Sequence, residues 1–407
     1  MLISSFNISK FFQILPLNKD IYKLYLVAFV ANLQFFGAIT IPFFVDFAHL
    51  EYKSIFILES FYMVFLFATE IPNGIFADKF SRKGSISLGL TFLGLGYIVF
   101  GLSNDFNFFI VAELFCALGA AFLSGADKSL LYELLKKRSL ENKAKKYLAR
   151  MQSWGSVGMA LGLPMGSLLS KSDLLCPYPQ SLSITFMLSA AAPLLVAIIV
   201  LSIKEENVIF CKKNFAKVGY ESCSYIYKNK KLFQLSLSLI LINAPLFFIV
   251  WLYQPVLSKT NLDVKYFGIV ACTFNLLGIF FLRYIEKLES VLGVETLLFY
   301  SGLLPGVLFI LMSFTEGSIS CIALVIISAS MKSIRSPIIG AYINSEIGNE
   351  NRSTVLSAVS MMQGIVILLL NPIVGYLCDI SVDSALLFLG ILITLMCFYF
   401  KKLPNFL

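Results

Sequence analysis

Twelve apolar runs, separated by shorter polar stretches, make up most of the chain. Most of the runs reach the roughly 20 residues that an α-helix needs to cross the hydrocarbon core of a bilayer. A membrane-spanning β-strand would need only about ten residues of alternating polarity, so the length of the runs favours helices. Helices also bond their own backbone groups, as lipid requires. The predicted spans cover residues 22–46, 54–77, 84–103, 107–134, 147–170, 182–203, 232–257, 265–284, 294–314, 317–342, 353–377 and 384–400.

Composition strengthens this interpretation. Of the 407 residues, 58% are hydrophobic and 14% are charged, and the mean hydropathy is +0.83. Charged residues make up about 25% of a typical soluble domain. A soluble chain of this length would need enough polar residues to cover the surfaces of two or three domains. The sequence therefore predicts an all-α integral membrane protein with twelve transmembrane helices.

The basic residues lie mostly on one side of the predicted spans, which is the cytoplasmic side by the positive-inside rule. This bias predicts that both termini are cytoplasmic, and it accounts for the net charge of +8 without nucleic-acid binding. The first twenty residues lack a continuous apolar core, so we expect no cleavable signal peptide. The side of the termini carries Lys10, Lys19, Lys23, Lys79, Arg82, Lys83, the lysines and arginines of 136–150 and 204–231, Arg283, Lys287, Arg352, Lys401 and Lys402, whereas the other side carries Lys53, Lys171, Lys259 and Lys265.

The sequence lacks the motifs of common membrane enzymes and of ATP-driven pumps. There is no HExxH, no GxGxxG after a strand and no GxxxxGK[ST]. The single histidine, His49, lies in the first outer loop, and the eight cysteines have no metal-binding spacing. We therefore expect no enzyme, no cofactor and no metal. The expected partners are a small-molecule substrate, protons and membrane lipid, with no nucleic acid, and we expect a monomer.

A polar stretch at 204–231 divides the chain between the sixth and seventh spans. A few similar positions in the two halves, separated by close to 210 residues, support a duplication of six spans. Tyr132 and Tyr342 end corresponding spans, and Pro164 to Gly166 resembles Pro372 to Gly375. Parallel six-helix repeats of this kind occur in membrane transporters. The predicted units are an N-terminal half at 1–203, a cytoplasmic central loop at 204–231 and a C-terminal half at 232–407.

The turn between the second and third spans carries the most specific motif, which reads Gly74-x-x-x-Asp78-Lys79-x-x-Arg82-Lys83. It resembles the signature of the major facilitator superfamily, and the resemblance extends over essentially the full chain. It implies a fold of twelve helices in two six-helix pseudo-repeats. It also implies that Asp78 caps a helix dipole and pairs with the basic residues, which locks the outward-facing state.

Other stretches are similar to a bacterial branch of that superfamily usually described as efflux transporters. The similarity implies export across the bacterial inner membrane. The stretches are Ser124-Gly-Ala-Asp127-Lys-Ser-Leu-Leu-Tyr132-Glu133, Trp251-Leu-Tyr-Gln254-Pro255, Arg335-Ser-Pro337, Asn344 and Arg352-Ser-Thr354.

The charged turn also has a physical rationale of its own. A carboxylate near a helix N-terminus gains about 0.3–1 kcal/mol from the macrodipole. Arg82 lies four residues after Asp78 and is predicted to reach both Asp78 and Asp127 of the fourth span. A network of this kind can form in one conformation and break in another, so we interpret Gly74, Lys79, Lys83 and these three residues as a gate. The alternative is that the charges only orient the loop.

Several carboxylates fall inside predicted spans, where ionisable groups are rare and usually face a cavity, and three glutamates among them are candidates for chemistry. Glu59 and Glu70 lie eleven residues apart on the second span, which separates them by only about 20° around a helix. Glu70 lies roughly 12 Å inward from Asp78. Glu113 lies on the fourth span. All three are candidates for proton coupling. The alternative places Glu59 at the outer interface and makes Glu70 a hydrogen-bonded packing residue.

Two features depart from the pattern of the proton-coupled drug antiporters that the chain resembles. Many of those carry an arginine on the fourth span, where this chain has Glu113 followed by Gly119-Ala-Ala121. Their fifth span carries Gly-x-x-x-Gly-Pro-x-x-Gly-Gly, whereas this chain has Gly158-x-x-x-Gly162-Leu-Pro164-x-Gly166. Small residues at this spacing also allow plain close packing of helices, which remains the alternative.

The remaining candidates are polar residues within other spans. Lys332 and Arg335 lie three residues apart on the tenth span, on neighbouring helix positions. They are predicted either to hold an anionic substrate or a buried glutamate, or to extend to the inner surface. Asn32, Gln34, Trp251 and Gln254 are predicted to line a central cavity, although Trp251 also suits an outer interface.

These observations predict a secondary active transporter. The favoured hypothesis is proton-coupled export of small amphipathic molecules, such as a drug-like compound or a siderophore, by alternating access. A proton-coupled importer of a nutrient or metabolite remains the first alternative, because no residue encodes direction. A transport-inactive membrane sensor or partner protein remains the second.

Overall fold

The computed structural model describes residues 19–79, 81–171, 176–205, 226–345, 347 and 352–401, without the side chains of 70–79, 336, 344–345 and 352–354. The regular structure in these ranges is helical. The longer helices are α1 (Lys19–Ala31), α2 (Tyr52–Lys79), α3 (Arg82–Leu102), α4 (Phe106–Leu123), α5 (Ala126–Lys136), α6 (Ala144–Ser170), α7 (Gln180–Leu201), α8 (Lys230–Phe247), α9 (Ile249–Lys259), α10 (Phe267–Arg283), α11 (Ile285–Leu292), α12 (Val294–Ser313), α13 (Ser318–Ser345), α14 (Arg352–Ile380) and α15 (Val382–Lys401).

Within the described ranges, ten helical segments are long and apolar enough to cross a membrane. Each coincides with one of the twelve predicted spans, and α4 with α5 and α8 with α9 each count as one segment. The first and fifth predicted spans are not among the ten. The first is interrupted after the 13 residues of α1, and the fifth, α6, is rich in glycine and serine. The number of twelve therefore stays a prediction.

The first predicted span is wrong as a single helix, because residues 32–39 are unwound. Backbone groups freed by unwinding inside a membrane need other partners. The backbone N–H of Phe35 donates to the hydroxyl of Ser189 at 3.0 Å, and the N–H of Ile41 donates to Oε1 of Gln254 at 2.8 Å. Neighbouring helices therefore stabilise the break. Two short helical turns follow it, at Thr40–Pro42 and Phe43–Phe47.

The fourth predicted span also contains a break, between α4 and α5. Gly125 occupies this position with φ of 77°, in the left-handed region. A residue with a side chain is strained in that region, whereas glycine is not. The break gives α5 its own N-terminus inside the predicted span, and Asp127 lies in its first turn.

The glycines of α6 face the backbone of α1 and of the unwound stretch that follows it. A Cβ atom on Gly158 would overlap the carbonyl oxygen of Phe29, and one on Gly166 would overlap that of Phe35. A Cβ on Gly162 would lie 2.9 Å from the backbone nitrogen of Gln34. The predicted small-residue motif therefore serves close helix packing here.

The Gly166→Ala variant is expected to lose about 1–3 kcal/mol of unfolding free energy, because the new methyl group must displace the backbone at Phe35. The Gly340→Ala variant is the matched control, because nothing lies within 4 Å of a Cβ atom at that helical position. Thermal unfolding in detergent, followed by size-exclusion chromatography, measures both. Equal melting temperatures for the two variants would contradict this packing.

The residues that the structure describes form three apolar cores, which differ in their position along the helices. We call α1–α7 the first helix group and α8–α15 the second. A shared core contains buried residues of both groups, including Phe44, Phe56 and Phe186 from the first and Leu252, Phe274 and Phe309 from the second. An N-side core belongs to the first group alone and includes Ile21, Leu130, Met151 and Val200. A C-side core belongs to the second group alone and includes Leu235, Leu298, Ile339 and Val355.

The positions of these cores along the helices show where the groups meet. Residues of the N-side and C-side cores lie near helix ends on the side of the chain termini, such as Ile21 early in α1 and Leu298 early in α12. Most of the shared core lies toward the opposite side, while Cys397 and Phe400 extend it along α15 toward the termini, and α2 against α14 and α6 against α10 are the main contacts between groups. The described part of the chain is therefore joined on the side away from the termini, with separate cores on the side of the termini.

Candidate functional site

A cavity of about 300 Å³ lies next to the shared core. The unwound stretch after α1 and helices α2, α3 and α4 form most of its wall, and α7 and α9 complete it. The lining residues are Gln34, Phe36, Gly37, Thr40, Phe44, Glu59, Tyr62, Leu93, Tyr97, Phe100, Glu113, Cys116, Phe186, Val250, Trp251 and Gln254.

Two carboxylates face this cavity. Glu59 lies seven residues after the start of α2 and Glu113 seven residues after the start of α4, so both lie roughly 10 Å along their helices. Glu113 is 6% exposed, whereas Glu59 is partly exposed to the cavity. The two are close enough to interact electrostatically. Within the described residues, neither carboxylate has a hydrogen-bond or ion-pair partner, and no lysine, arginine or histidine lines the cavity.

Two glutamines form hydrogen bonds at the cavity wall. Nε2 of Gln34 donates to the hydroxyl of Tyr97 at 3.1 Å. Gln254 is 1% exposed, and its Nε2 donates to the carbonyl oxygen of Gly37 at 3.3 Å while its Oε1 accepts from Ile41. Gln254 thereby connects α9 of the second group to the unwound stretch of the first. This contact makes the cavity a site between the two groups.

The structure brings five of the predicted site residues together and leaves another outside. Glu59, Glu113, Gln34, Trp251 and Gln254 all line the cavity. The amide of Asn32, in contrast, donates to the carbonyl oxygen of Ala28 within the end of α1. Their functional roles stay predictions.

Aromatic side chains supply most of the remaining wall. The rings of Phe36 and Phe186 stack with centroids 4.1 Å apart, and Phe36 contacts Tyr97 edge-on at 4.8 Å. Phe100 lies 5.9 Å from Phe44 and 5.3 Å from Phe186. The sequence contains 39 phenylalanines, so no local signal marked these as cavity residues.

The two predicted cations of α13 do not line this cavity. Arg335 is 2% exposed, and its guanidinium donates to the carbonyl oxygen of Leu298 and to the hydroxyl of Ser238. Nζ of Lys332 lies 5.1 Å from the ring centroid of Phe247. Arg335 is therefore held inside the second group instead of extending to the surface. The predicted neutralisation of a buried glutamate by Arg335 is not observed.

The charged turn between α2 and α3 pairs differently from the prediction. Arg82 Nη1 lies 2.8 Å from Oε2 of Glu133, whereas Oδ1 of Asp127 accepts the backbone N–H of Lys128 at 2.7 Å. The expected contact between Arg82 and Asp127 is therefore replaced by one with Glu133, six residues further along. The side chains of Glu70, Gly74, Asp78 and Lys79 lie outside the described residues.

A second carboxylate, Glu205, caps the N-terminus of α3. It accepts the Ser81 hydroxyl at 2.6 Å and the backbone N–H groups of Arg82 at 2.6 Å and Lys83 at 3.2 Å. Nζ of Lys83 donates to the carbonyl oxygen of Ile203. These contacts attach the charged turn to the end of α7. Sequence reasoning missed Glu205, although it is a rare acid beside a basic segment.

Polar contacts between the groups close the side away from the termini. The carboxylate of Asp379, at the end of α14, accepts the backbone N–H groups of Tyr52 at 2.8 Å and Lys53 at 3.1 Å. It therefore caps α2 from the other helix group. Lys259 and Asp383 form a salt bridge at 2.6 Å on the same side, although within the second group. None of these contacts was predicted.

The same side also carries a contact within the first group. Tyr178 donates a hydrogen bond to Asp46, and Lys171 lies 3.7 Å from the ring centroid of Tyr178. Burial and then the hydrogen bond to Asp46 raise the pKa of Tyr178. Its hydroxyl therefore keeps its proton at physiological pH and remains a donor. The described residues contain no group of three or more His, Cys, Asp or Glu side chains placed to bind a metal ion.

Comparisons with known proteins agree with this architecture. The family model of the Major Facilitator Superfamily matches residues 24–253, which is more than half of the chain. An uncharacterized MFS-type transporter of Methanocaldococcus jannaschii is 22% identical over 232 residues, covering 55% of this chain and 56% of that protein. The match therefore spans just over half the length of that relative.

Solved structures of transporters have the same fold. The nucleoside transporter NupG superposes with a TM-score of 0.79 and 14% identity, covering 94% of this chain and 98% of that one. A bacterial homolog of the human lysosomal transporter Spinster, in an inward-facing and unoccupied conformation, gives a TM-score of 0.69 with 15% identity, over 93% of this chain and 94% of that one. At these identities the likeness concerns the fold alone.

Proposed function

This chain belongs to the Major Facilitator Superfamily, and we propose that it is a proton-coupled secondary active transporter of small organic molecules. Membership and fold support membrane transport. One observation carries the proposal further. Glu59 and Glu113 line the same cavity and interact electrostatically. The contacts between the helix groups close this cavity on one side. Ionisable groups inside a membrane protein mark proton and substrate pathways.

The proposed transport cycle is alternating access between two helix units. We propose twelve spans in two six-helix halves, at 1–203 and 232–407, with 204–231 as a cytoplasmic central loop. The shared core and the Asp379 cap then close the outer side, and the separate N-side and C-side cores belong to an inward-facing state. The reverse state requires breaking the Asp379 and Gln254 contacts.

The gate on the inner side is proposed to use the turn between α2 and α3. The pair between Arg82 and Glu133, together with the Glu205 cap, supports a charge network there. Asp78, Asp127 and the basic residues of the turn remain the proposed gating residues. Both termini are proposed to lie in the cytoplasm of a bacterium, with the spans in its inner membrane, and the excess of basic residues on that side supports this orientation.

Export of amphipathic molecules is the proposed direction, on the resemblance of the quoted motifs to efflux transporters. The aromatic wall of the cavity suits such cargo. An importer of a nutrient is the second candidate, because the fold is similar to that of a nucleoside transporter. Glu70 remains a further candidate for proton coupling beside Glu59 and Glu113.

Accumulation in an efflux-deficient bacterial host tests function and direction together. Cells that express the chain are expected to accumulate less of at least one amphipathic compound from a broad panel, and a protonophore should abolish the difference. Cells with empty vector and cells with the Glu59→Gln/Glu113→Gln variant are the controls. Gradient-dependent uptake of a nutrient would instead establish the importer. An unchanged panel in both directions would contradict transport and favour a sensor or partner protein.

A further inference from the structure

The cavity has an unbalanced charge. Its two carboxylates face the same space, and within the described residues no basic side chain lines that space. The two basic residues that the sequence suggested for a substrate site lie elsewhere. Lys332 contacts the ring of Phe247, and Arg335 donates hydrogen bonds to Leu298 and Ser238. The charged side chains that an anionic substrate would meet among the described lining residues are therefore carboxylates alone.

Glu113 adds a second and independent observation. It is 94% buried, since its exposed fraction is 6%, and it faces the cavity without a described hydrogen-bond partner. Polar groups in protein interiors usually have hydrogen-bond partners, which protein, water or ligand can supply. A ligand that carries positive charge would supply a partner for Glu113, and Glu59 lines the same cavity as a second carboxylate.

The aromatic faces of the cavity complement a cation as well as an apolar body. The rings of Trp251, Tyr62 and Tyr97 line the space together with the stacked pair of Phe36 and Phe186. A cation within about 6 Å of an aromatic ring is attracted to the face of the ring, and tryptophan is the best partner. The same rings exclude water from an apolar substituent.

We propose that this cavity binds a small organic cation, with its charge between Glu59 and Glu113 and its apolar body against the aromatic wall. This inference rests on the proposed transport function and specifies its substrate class. The volume of about 300 Å³ is at the lower limit of small-molecule sites, which span about 300–1,000 Å³. The cargo is therefore a compact amine or quaternary ammonium compound, and a bulky siderophore does not fit this cavity.

Protonation of the two carboxylates should weaken the binding of a cation. Each carboxyl group that takes up a proton loses the charge that attracts the cation, so binding weakens as the pH falls. The other titratable groups facing the pair are Tyr62, Tyr97 and Cys116, and none of these provides a positive charge. A quaternary ammonium ligand has no proton of its own, so its pH dependence reports on the carboxylates.

Isothermal titration of the purified full-length protein in detergent tests the site. Phenyltrimethylammonium is the cationic probe, and tert-butylbenzene is its neutral isostere. The cation is expected to bind at pH 8 at least about tenfold more tightly than the isostere and to bind more weakly at pH 5.5. Glu113→Gln and Glu59→Gln should each weaken cation binding at least about tenfold, and each should reduce the pH dependence.

The Glu51→Gln variant is the matched control, because Glu51 is exposed outside the cavity and should leave binding unchanged. Melting temperatures establish that the glutamine variants are folded. Equal affinities for the two probes, or full binding by both folded glutamine variants, would overturn the cation site. Cation binding without transport in proteoliposomes would contradict the transport function alone, whereas transport of neutral compounds without cation binding would contradict this inference alone.

Discussion

Replacing Glu113 with glutamine is expected to reduce gradient-driven transport to the level of liposomes without protein. Glutamine keeps the size and hydrogen-bonding capacity of the side chain but cannot gain and lose a proton at this buried position. Exchange of substrate against substrate needs no net proton movement, so counterflow measured at saturating substrate should persist in the variant in spite of its weaker binding. Flux under an imposed pH gradient and counterflow, measured on the same proteoliposomes, separate loss of coupling from loss of folding.

The exposed Glu51→Gln variant serves as the control for a neutralised carboxylate on the same side of the membrane. It should retain both activities. Gradient-driven flux at the wild-type level in Glu113→Gln would remove Glu113 from the coupling mechanism and leave Glu59 and Glu70 as candidates.

Removing the Asp379 carboxylate is expected to open the side that the structure shows closed. Asp379 caps α2 across the boundary between the helix groups. Loss of a capping side chain costs about 0.5–2 kcal/mol, and 1–2 kcal/mol changes an equilibrium about five- to thirtyfold. Asp379→Ala should therefore shift the population toward the state open on the side away from the termini by about two- to thirtyfold.

Cys116 provides the reporter for this shift, because its thiol lines the cavity. In a variant with Cys116 as the single cysteine, a membrane-impermeant maleimide should label it faster from the side away from the termini after Asp379→Ala. Asp379→Asn is the matched control, because asparagine caps helices about as well as aspartate. Equal labelling rates in Asp379→Ala and the parent protein would show that this cap does not hold the outer side closed.

Hydropathy predicted the positions of the helices well, because lipid leaves long apolar runs few alternatives to a helix. It could not predict the interruptions. The break after α1 depends on acceptors from Gln254 and Ser189, which are more than 150 residues away in sequence. The break at Gly125 depends on a left-handed backbone conformation that glycine permits but does not require.

The site residues that could be predicted from sequence are those that a position deep inside an apolar run identifies. Glu59 and Glu113 stand out as charges inside apolar runs, and both face the cavity. Asn32 and Gln34 are only two residues apart, yet unwinding of the chain between them sends one to Ala28 and the other into the cavity. Positions two residues apart already point about 200° from each other on a regular helix, so assigning both residues to one cavity had no support from helix geometry.

Pairing of charges was less predictable than their presence. Arg82 was predicted to reach Asp127, but Asp127 lies in the first turn of a new helix, where its carboxylate accepts the backbone N–H of Lys128. Glu133, within the same motif, takes the arginine instead. Ion-pair partners depend on side-chain directions that follow from local helix geometry, and the break altered that geometry.

The most direct test of proton-coupled transport is the proton movement that accompanies flux. Proteoliposomes that contain a pH-sensitive dye should show proton movement, opposite in direction to the substrate, when a compound that the accumulation panel identifies is added. The signal should be absent from the Glu59→Gln/Glu113→Gln variant and unchanged in Glu51→Gln. Substrate flux by the wild-type protein without any proton movement, or a wild-type signal from the double variant, would contradict the account.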